Sequence, residues 1–248
     1  MMTDEREHGT PAPEAAPVEQ EASGGFFASM LDIFIDPMKV FRRIAAGMSW
    51  WMPFVAVSVI GIIIAIVNAP LTNRIIEMRY ATMEGEELER IKSAMSTWKY
   101  IGYVAVPIIV LISNVIIAGI VHLVNSVISM RANFKKTLSL AMFCSFIGVL
   151  SQIIGSIIIW TRGIESIESP TDLRVSFGLA ALFPDLEGFW YRFSESLSLF
   201  QIWYYILFVF GIAVIMSIER KKAVVAGIAV WLVSFLMMFL QGLAGGGM

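Results

Sequence analysis

Three polar side chains interrupt the longest apolar stretch of the chain, residues 100–129, which contains no Asp, Glu, Lys or Arg. They are Asn114, His122 and Asn125, and helical spacing places them on one stripe. Such groups inside a membrane could relay protons or ions, or line a ligand or lipid pocket. They could also hydrogen-bond to other helices, where such bonds contribute about 0.6 kcal/mol on average. Because no carboxylate lies at this depth, hydrogen bonding is favoured, with Gln152 as the predicted partner.

The stretch that carries these groups is long enough to cross a bilayer. At about 1.5 Å per residue, thirty helical residues extend roughly 45 Å, whereas the hydrocarbon core is about 30 Å thick. We therefore expect the remaining helices to bury this one. The sequence predicts an all-α membrane protein, a bundle of five transmembrane helices preceded by an interfacial amphipathic helix. The spans are predicted at about 51–70, 100–129, 138–160, 197–217 and 223–241.

Small residues on two of these spans indicate where helices approach closely. Gly61 and Ala65 form one small-residue step in the first span. A longer seam of small residues follows the third span: Cys144, Gly148, Ser151 and Gly155. Both patterns predict contact with a neighbouring helix.

Composition excludes several classes of protein. Hydrophobic residues make up 57% of the 248 residues and charged residues 15%, against about a quarter charged in soluble domains. The single cysteine, Cys144, and two distant histidines argue against disulfides, a zinc site or any other metal centre. The chain lacks Gly-x-Ser-x-Gly, His-Glu-x-x-His and a phosphate-binding glycine loop. We therefore predict no enzymatic activity and no cofactor.

The chain divides into three parts by composition. Residues 1–25 hold six acidic residues and one arginine with almost no large apolar side chain, so we expect a disordered acidic tail. The tail could solubilise the protein or dock a partner. Residues 26–241 form the predicted transmembrane domain, and the Gly-rich residues 242–248 form a flexible end. An acidic arm on a basic membrane body does not suggest nucleic-acid binding.

The segment before the first span has helical amphipathic spacing and is too polar to cross a membrane. Asp36 and Pro37 suit the N-cap and first position of a helix, so a second short helix is predicted at about 37–46. The segment could lie along the cytoplasmic interface, pack under the bundle, or do both. Its predicted apolar face comprises Phe27, Met30, Phe34, Met38, Phe41 and Ala45, and its predicted polar face comprises Asp32, Asp36, Lys39 and Arg43.

Basic residues are concentrated in short segments on one side of the predicted spans, which indicates a cytoplasmic N-terminus and, after five spans, an external C-terminus. They could contact anionic lipids, or they could act only as a topology signal. The candidate lipid contacts are Lys39, Arg42, Arg43, Arg131, Lys135, Lys136, Arg220, Lys221 and Lys222.

Two longer connections lie on the opposite side. Residues 71–99 carry five acids and five bases, and Ile91, Met95 and Trp98 keep helical spacing, which predicts an exposed helical hairpin that leads into the second span. Residues 175–183 are apolar but too short to cross a membrane, so an interfacial or re-entrant helix is predicted there.

Three short motifs resemble the Yip1 family of five-span membrane proteins. The first is Phe34-Ile-Asp-Pro37-Met-Lys-Val-Phe41 before the first span, and the second is Asn133-Phe-Lys-Lys136 before the third. The third is Ser198-Leu-Phe200-Gln-Ile-Trp203, followed by Gly211 and then Lys221-Lys222-Ala223. The chain departs from the family at Phe143-Cys-Ser145, where Tyr-Ser followed by a proline is common.

The resemblance implies a cytoplasmic N-terminus, five helices and no assigned activity among prokaryotic members. The eukaryotic acidic-Leu-Tyr-Gly-Pro signature is missing, so small-GTPase binding is not carried over, and a bacterial cytoplasmic (inner) membrane is expected. We expect a non-enzymatic protein that organises membrane, or assists assembly or trafficking, through membrane lipids, partner membrane proteins or a homo-oligomer. The alternative is a small transporter or channel with a polar site around His122.

Overall fold

The computed structural model describes residues 25–80, 86–128, 133–183, 186 and 188–244. The predicted acidic tail, apart from residue 25, lies outside the described residues, as do Arg131 and residues 245–248. The described residues form α-helices, short 3₁₀ turns at Ile164–Ser166 and Pro170–Leu173, and no β-strand. The helices are α1 (Phe26–Ile35), α2 (Pro37–Ala45), α3 (Trp51–Val67), α4 (Ala69–Arg79), α5 (Glu86–Ile128), α6 (Phe134–Arg162), α7 (Leu179–Leu182), α8 (Gly188–Glu195), α9 (Leu199–Met216) and α10 (Arg220–Ala244).

Five helices form the bundle, and their directions alternate along the chain. Long apolar stretches qualify as spans in α5, α6, α9 and α10, and α3 qualifies together with α4, from which it is bent by 46°. Contacts at both ends show that α3 runs beside α6. Ser139 of α6 donates to the Met48 carbonyl just before α3, and Asn68 just after α3 donates to Ser156 of α6. The all-helical bundle predicted from sequence is confirmed.

The central helix is α6, which contacts α1, α2, α3, α5 and α9. All residues from Thr137 to Cys144 are buried, as expected for a helix surrounded on every side. Only 17% of the most apolar stretch of α5 is buried, whereas 39% of the corresponding stretch of α6 is buried. The expectation that the chain is built to bury residues 100–129 is therefore wrong. That stretch is the most apolar because much of its surface faces outward.

Helices α1 and α2 form a short pair that packs into the bundle. Helix α2 begins at Pro37, as predicted, and ends before Gly47, whose φ of 113° stops the helix. The side chains of Ile33, Val40, Phe41 and Ile44 have no exposed surface, and α2 packs against α9. Of the two predicted arrangements, packing with the bundle is confirmed, whereas a position in the lipid interface stays a prediction.

The predicted polar face of this pair is wrong for two residues. Asp32 and Arg43 face each other between α1 and α2, because an ion pair can be buried where two single charges could not. Conversely, Phe27, Leu31 and Ile35 point outward, with Ile35 81% exposed.

We call the end of the bundle where α5 and α9 end and α6 and α10 begin the basic end, and the other end the loop end. At the loop end, residues 71–99 contain α4 and the first part of α5, which continues unbroken into the apolar stretch. The nine-residue helix predicted at 175–183 is reduced to the single turn of α7. The reason is a close backbone contact: the Leu199 amide donates to the Phe177 carbonyl, and a Cβ on Gly178 would stand 2.7 Å from the Ser198 Cα.

Candidate functional site: the polar contacts of the bundle

Asn114 joins α5 to α6 in the middle of the apolar stretch. Its side chain is 4% exposed, its Nδ2 donates to the Val110 carbonyl at 2.9 Å, and its Oδ1 accepts from Ser145 Oγ at 3.1 Å. Both the donor and the acceptor of the amide are thus used within the protein. The predicted interhelical role of Asn114 fits this geometry, but its partner is Ser145, not Gln152.

The other polar groups of the predicted stripe do not join this contact. The buried face of α5 continues from Asn114 through Ala118 to Val121, and His122 lies beside it with an exposed side chain. The His122 ring packs edge-on against Phe134 at 6.5 Å, close to the basic end. Asn125 is half-buried, and Gln152 is exposed on α6. The structure therefore separates residues that helical spacing alone placed together.

A second polar cluster, missed from the sequence, joins α3 to α6 near the loop end. Asn68 Nδ2 donates to Ser156 Oγ at 2.7 Å, and Trp160 Nε1 donates to Asn68 Oδ1 at 3.2 Å. Ser156 Oγ in turn donates to the Gln152 carbonyl at 2.8 Å. The signal for this cluster was the four-residue spacing of Ser156 and Trp160, which puts both on one face of α6.

Two basic residues at the basic end make contacts inside the protein. Arg43 is 8% exposed, and its Nη1 donates to Asp32 Oδ2 and to Ser29 Oγ. Lys136 Nζ donates to the carbonyl of Ala45, the last residue of α2, where a cation also complements the helix dipole. Both side chains thus have partners inside the protein, and their contact with lipid stays a prediction.

The remaining described cations reach the surface. Lys39 forms a half-exposed ion pair with Asp36 at 3.2 Å, and the Arg220 guanidinium lies over the Phe210 ring at 5.3 Å. Among the described candidate lipid contacts, the exposed cations are Arg42, Lys135, Arg220, Lys221 and Lys222. They can meet lipid headgroups more readily than the buried Arg43 can.

Several of the motif residues pack inside the bundle. Pro37 begins α2, and Phe41 is completely buried. The Trp203 ring is 6.1 Å from Phe34, and the Phe200 ring is 5.0 Å from Phe177. Gly211 lets α9 approach α6, because a Cβ there would overlap Leu140 Cδ1. The motif residues are thus packing positions.

Of the two small-residue patterns, the step at Gly61 marks a close approach between helices and the seam on α6 does not. A Cβ on Gly61 would stand 3.0 Å from Val106 Cγ1, so the predicted close approach to the first span is confirmed. On α6, by contrast, a Cβ on Gly148 would meet nothing within 4 Å and one on Gly155 would make only ordinary contacts. The seam predicted on α6 therefore does not mark a close approach.

The loop end contains a carboxylate held by backbone amides. Asp172 accepts from the amides of Ser169 at 2.7 Å and Glu168 at 2.9 Å, and these bonds lower the pKa of Asp172. Nearby, the Arg174 guanidinium lies 4.7 Å over the Tyr191 ring, and burial is the main cause that raises the pKa of Tyr191. These contacts organise the loop. Within the described ranges, no group of three or more His, Cys, Asp or Glu could hold a metal ion.

The fold and these contacts define a multi-pass membrane protein in which several polar side chains join neighbouring helices. A family model for the Yip1 domain matches residues 31–241, and the chain belongs to that family. The chain is also similar to "Membrane protein YknW" of Bacillus subtilis (strain 168), at 24% identity over 201 residues that cover 81% of this chain and 84% of YknW. No solved structure matches it.

Proposed function

We propose that this protein is a non-enzymatic membrane protein that organises membrane, or assists assembly or trafficking, through contacts with lipids, partner membrane proteins or a second copy of itself. One observation carries the proposal. The amide of Asn114, in the middle of the apolar stretch, accepts from Ser145 Oγ of α6 and donates to the Val110 carbonyl of its own helix. Groups committed in this way hold helices in register and are not available for substrate.

The outer surface supports a contact function. The exposed apolar positions of α1, Phe27, Leu31 and Ile35, lie at four-residue steps on one face. In a monomer surrounded by lipid, this face would meet acyl chains, and in an assembly it would meet another helix. The proposed location is a bacterial cytoplasmic (inner) membrane with the basic end and the N-terminus in the cytoplasm and the C-terminus outside. The concentration of Lys and Arg at the basic end supports this orientation.

The test combines photo-crosslinking with transport assays. A photo-reactive amino acid placed in turn at Leu31 on α1, Leu123 on α5 and Leu236 on α10 samples three outward faces. We expect a discrete protein adduct, identified by mass spectrometry, from one face and not from all three. Purified protein in liposomes should carry no solute flux.

The alternative, a transporter with its site around His122, makes the opposite prediction. Solute flux that is present in liposomes and abolished by His122→Ala would overturn the proposed function. The exposed position of His122, away from the bundle interior, is the structural argument against this alternative.

A further inference from the structure

A groove runs between α9 and α10 on the outer surface of the bundle. Its volume is about 480 Å³, within the range of about 300–1,000 Å³ that is usual for ligand sites. Arg220 stands at one end, and the walls are otherwise almost entirely apolar. The main wall residues are Ile202, Val209, Val224, Gly227, Ile228 and Trp231.

Between Arg220 and Trp231 the groove covers about one lipid leaflet, and Ser196 and Leu197 continue its lining toward the loop end. Arg220 is the first residue of α10, and Trp231 follows eleven residues later, a distance of about 16 Å along the helix. Half of the hydrocarbon core is about 15 Å. A molecule with its polar group at Arg220 would therefore extend its apolar part to about the middle of the bilayer.

The charges at the mouth of the groove favour an anion. Arg220, Lys221 and Lys222 are consecutive and exposed, and the one neighbouring acid is Glu219. The Arg220 guanidinium lies over the ring of Phe210, another wall residue, so it stands at the edge of the groove. Guanidinium groups bind phosphate oxygens through charge-assisted hydrogen bonds.

The groove is narrow where α9 and α10 come into contact. At Gly227 the two walls come close, because a Cβ there would overlap Val209 Cγ2. A slender chain fits such a space better than a helix.

We propose that this groove binds an acyl chain of an anionic phospholipid, with the phosphate on Arg220 and the end of the chain near Trp231. The inference rests on the proposed function, since it names one of its lipid contacts. Lipid binding and partner crosslinking are measured separately, so either can fail alone.

Native mass spectrometry of the protein, purified in the presence of equal amounts of phosphatidylglycerol and phosphatidylcholine, tests the site. Val224→Trp fills the groove from its open side and should abolish retention of phosphatidylglycerol. Val225→Trp is the matched control, because Val225 is equally exposed on the next position of α10 and does not line the groove. Ile228→Trp replaces Val224→Trp if that variant does not elute as folded protein.

The headgroup contact is tested by Arg220→Gln. We expect its preference for phosphatidylglycerol over phosphatidylcholine to fall about tenfold, the loss of one charge-assisted hydrogen bond. Lys135→Gln, an exposed cation on α6 at the same end, should keep the preference. Equal retention of both lipids by the unmodified protein, or retention by Val224→Trp equal to that of Val225→Trp, would overturn the proposal.

Discussion

At the scale of single residues, glycine determines how closely α9 approaches α6. A Cβ on Gly211 would overlap Leu140 Cδ1 and stand 2.8 Å from Cδ2, and Leu140 is completely buried. Leu140 therefore has no free space into which it could move. The sequence marks Gly211 only as a motif residue. The structure shows why a glycine is needed there: a side chain would overlap Leu140.

We expect Gly211→Ala to destabilise the protein by about 1–3 kcal/mol, the usual result of overfilling a packed core. Unfolding in mixed micelles measures the change. Gly148→Ala is the matched control, because a Cβ there meets nothing within 4 Å and alanine is the better helix former. If the two variants unfold alike, the close approach at Gly211 does not determine stability.

The contact between Asn114 and Ser145 makes a second prediction at this scale. A double-mutant cycle with Asn114→Ala and Ser145→Ala should give a coupling of about 0.6 kcal/mol, since hydrogen bonds between membrane helices average that value. The same cycle with Asn114→Ala and Gln152→Ala should give no coupling. A larger coupling to Gln152 than to Ser145 would contradict the assigned partner.

At the scale of elements, the α1–α2 pair is held together by a polar contact that the sequence pattern placed on the outside. Arg43 reaches from α2 to Asp32 and Ser29 on α1, and Lys136 of α6 binds the end of α2. Of the four polar residues that helical spacing placed on the outer face of this segment, Asp32 and Arg43 instead pair between α1 and α2. Asp36 and Lys39 meet the prediction, because both side chains are 39% exposed and pair with each other.

Asp32→Asn should loosen α1 from the bundle, because Arg43 then loses its counter-ion in a mostly buried position. Hydrogen bonds to charged groups contribute about 1.5–3 kcal/mol, so amide hydrogen exchange in α1 should accelerate strongly. Asp36→Asn is the matched control: it removes the ion pair with Lys39, both of whose side chains are 39% exposed, and such pairs contribute about 0–1 kcal/mol. Equal exchange in both variants would show that the Asp32–Arg43 pair does not hold α1.

At the scale of the whole molecule, five alternating helices place the basic end and the loop end on opposite sides of the membrane. The native Cys144 is completely buried and should not react with a thiol reagent. Labelling of a cysteine introduced at an exposed position therefore reports on which side of the membrane that position lies. Lys135→Cys and Lys221→Cys lie at the basic end, and Glu165→Cys lies at the loop end.

In intact cells, a membrane-impermeant maleimide should label Glu165→Cys and should label the other two only after the membrane is opened. The reason is the positive-inside rule, which assigns the basic end to the cytoplasm. Labelling of Lys135→Cys and Glu165→Cys from the same side would contradict the alternation of the bundle, because α6 connects the two positions.

The apolar runs and turn residues of the sequence were enough to determine the helical class, the membrane environment and the start of α2 at Pro37. Those features are local, since a long uncharged run or an Asp-Pro pair acts through its own stretch of chain. Only the tertiary structure decided that α6 is central, that Ser145 is the partner of Asn114, and that Arg43 faces Asp32. Each of these depends on which helices are neighbours, and a chain of similar apolar helices carries little information about that arrangement, because lipid-facing and buried surfaces are equally apolar.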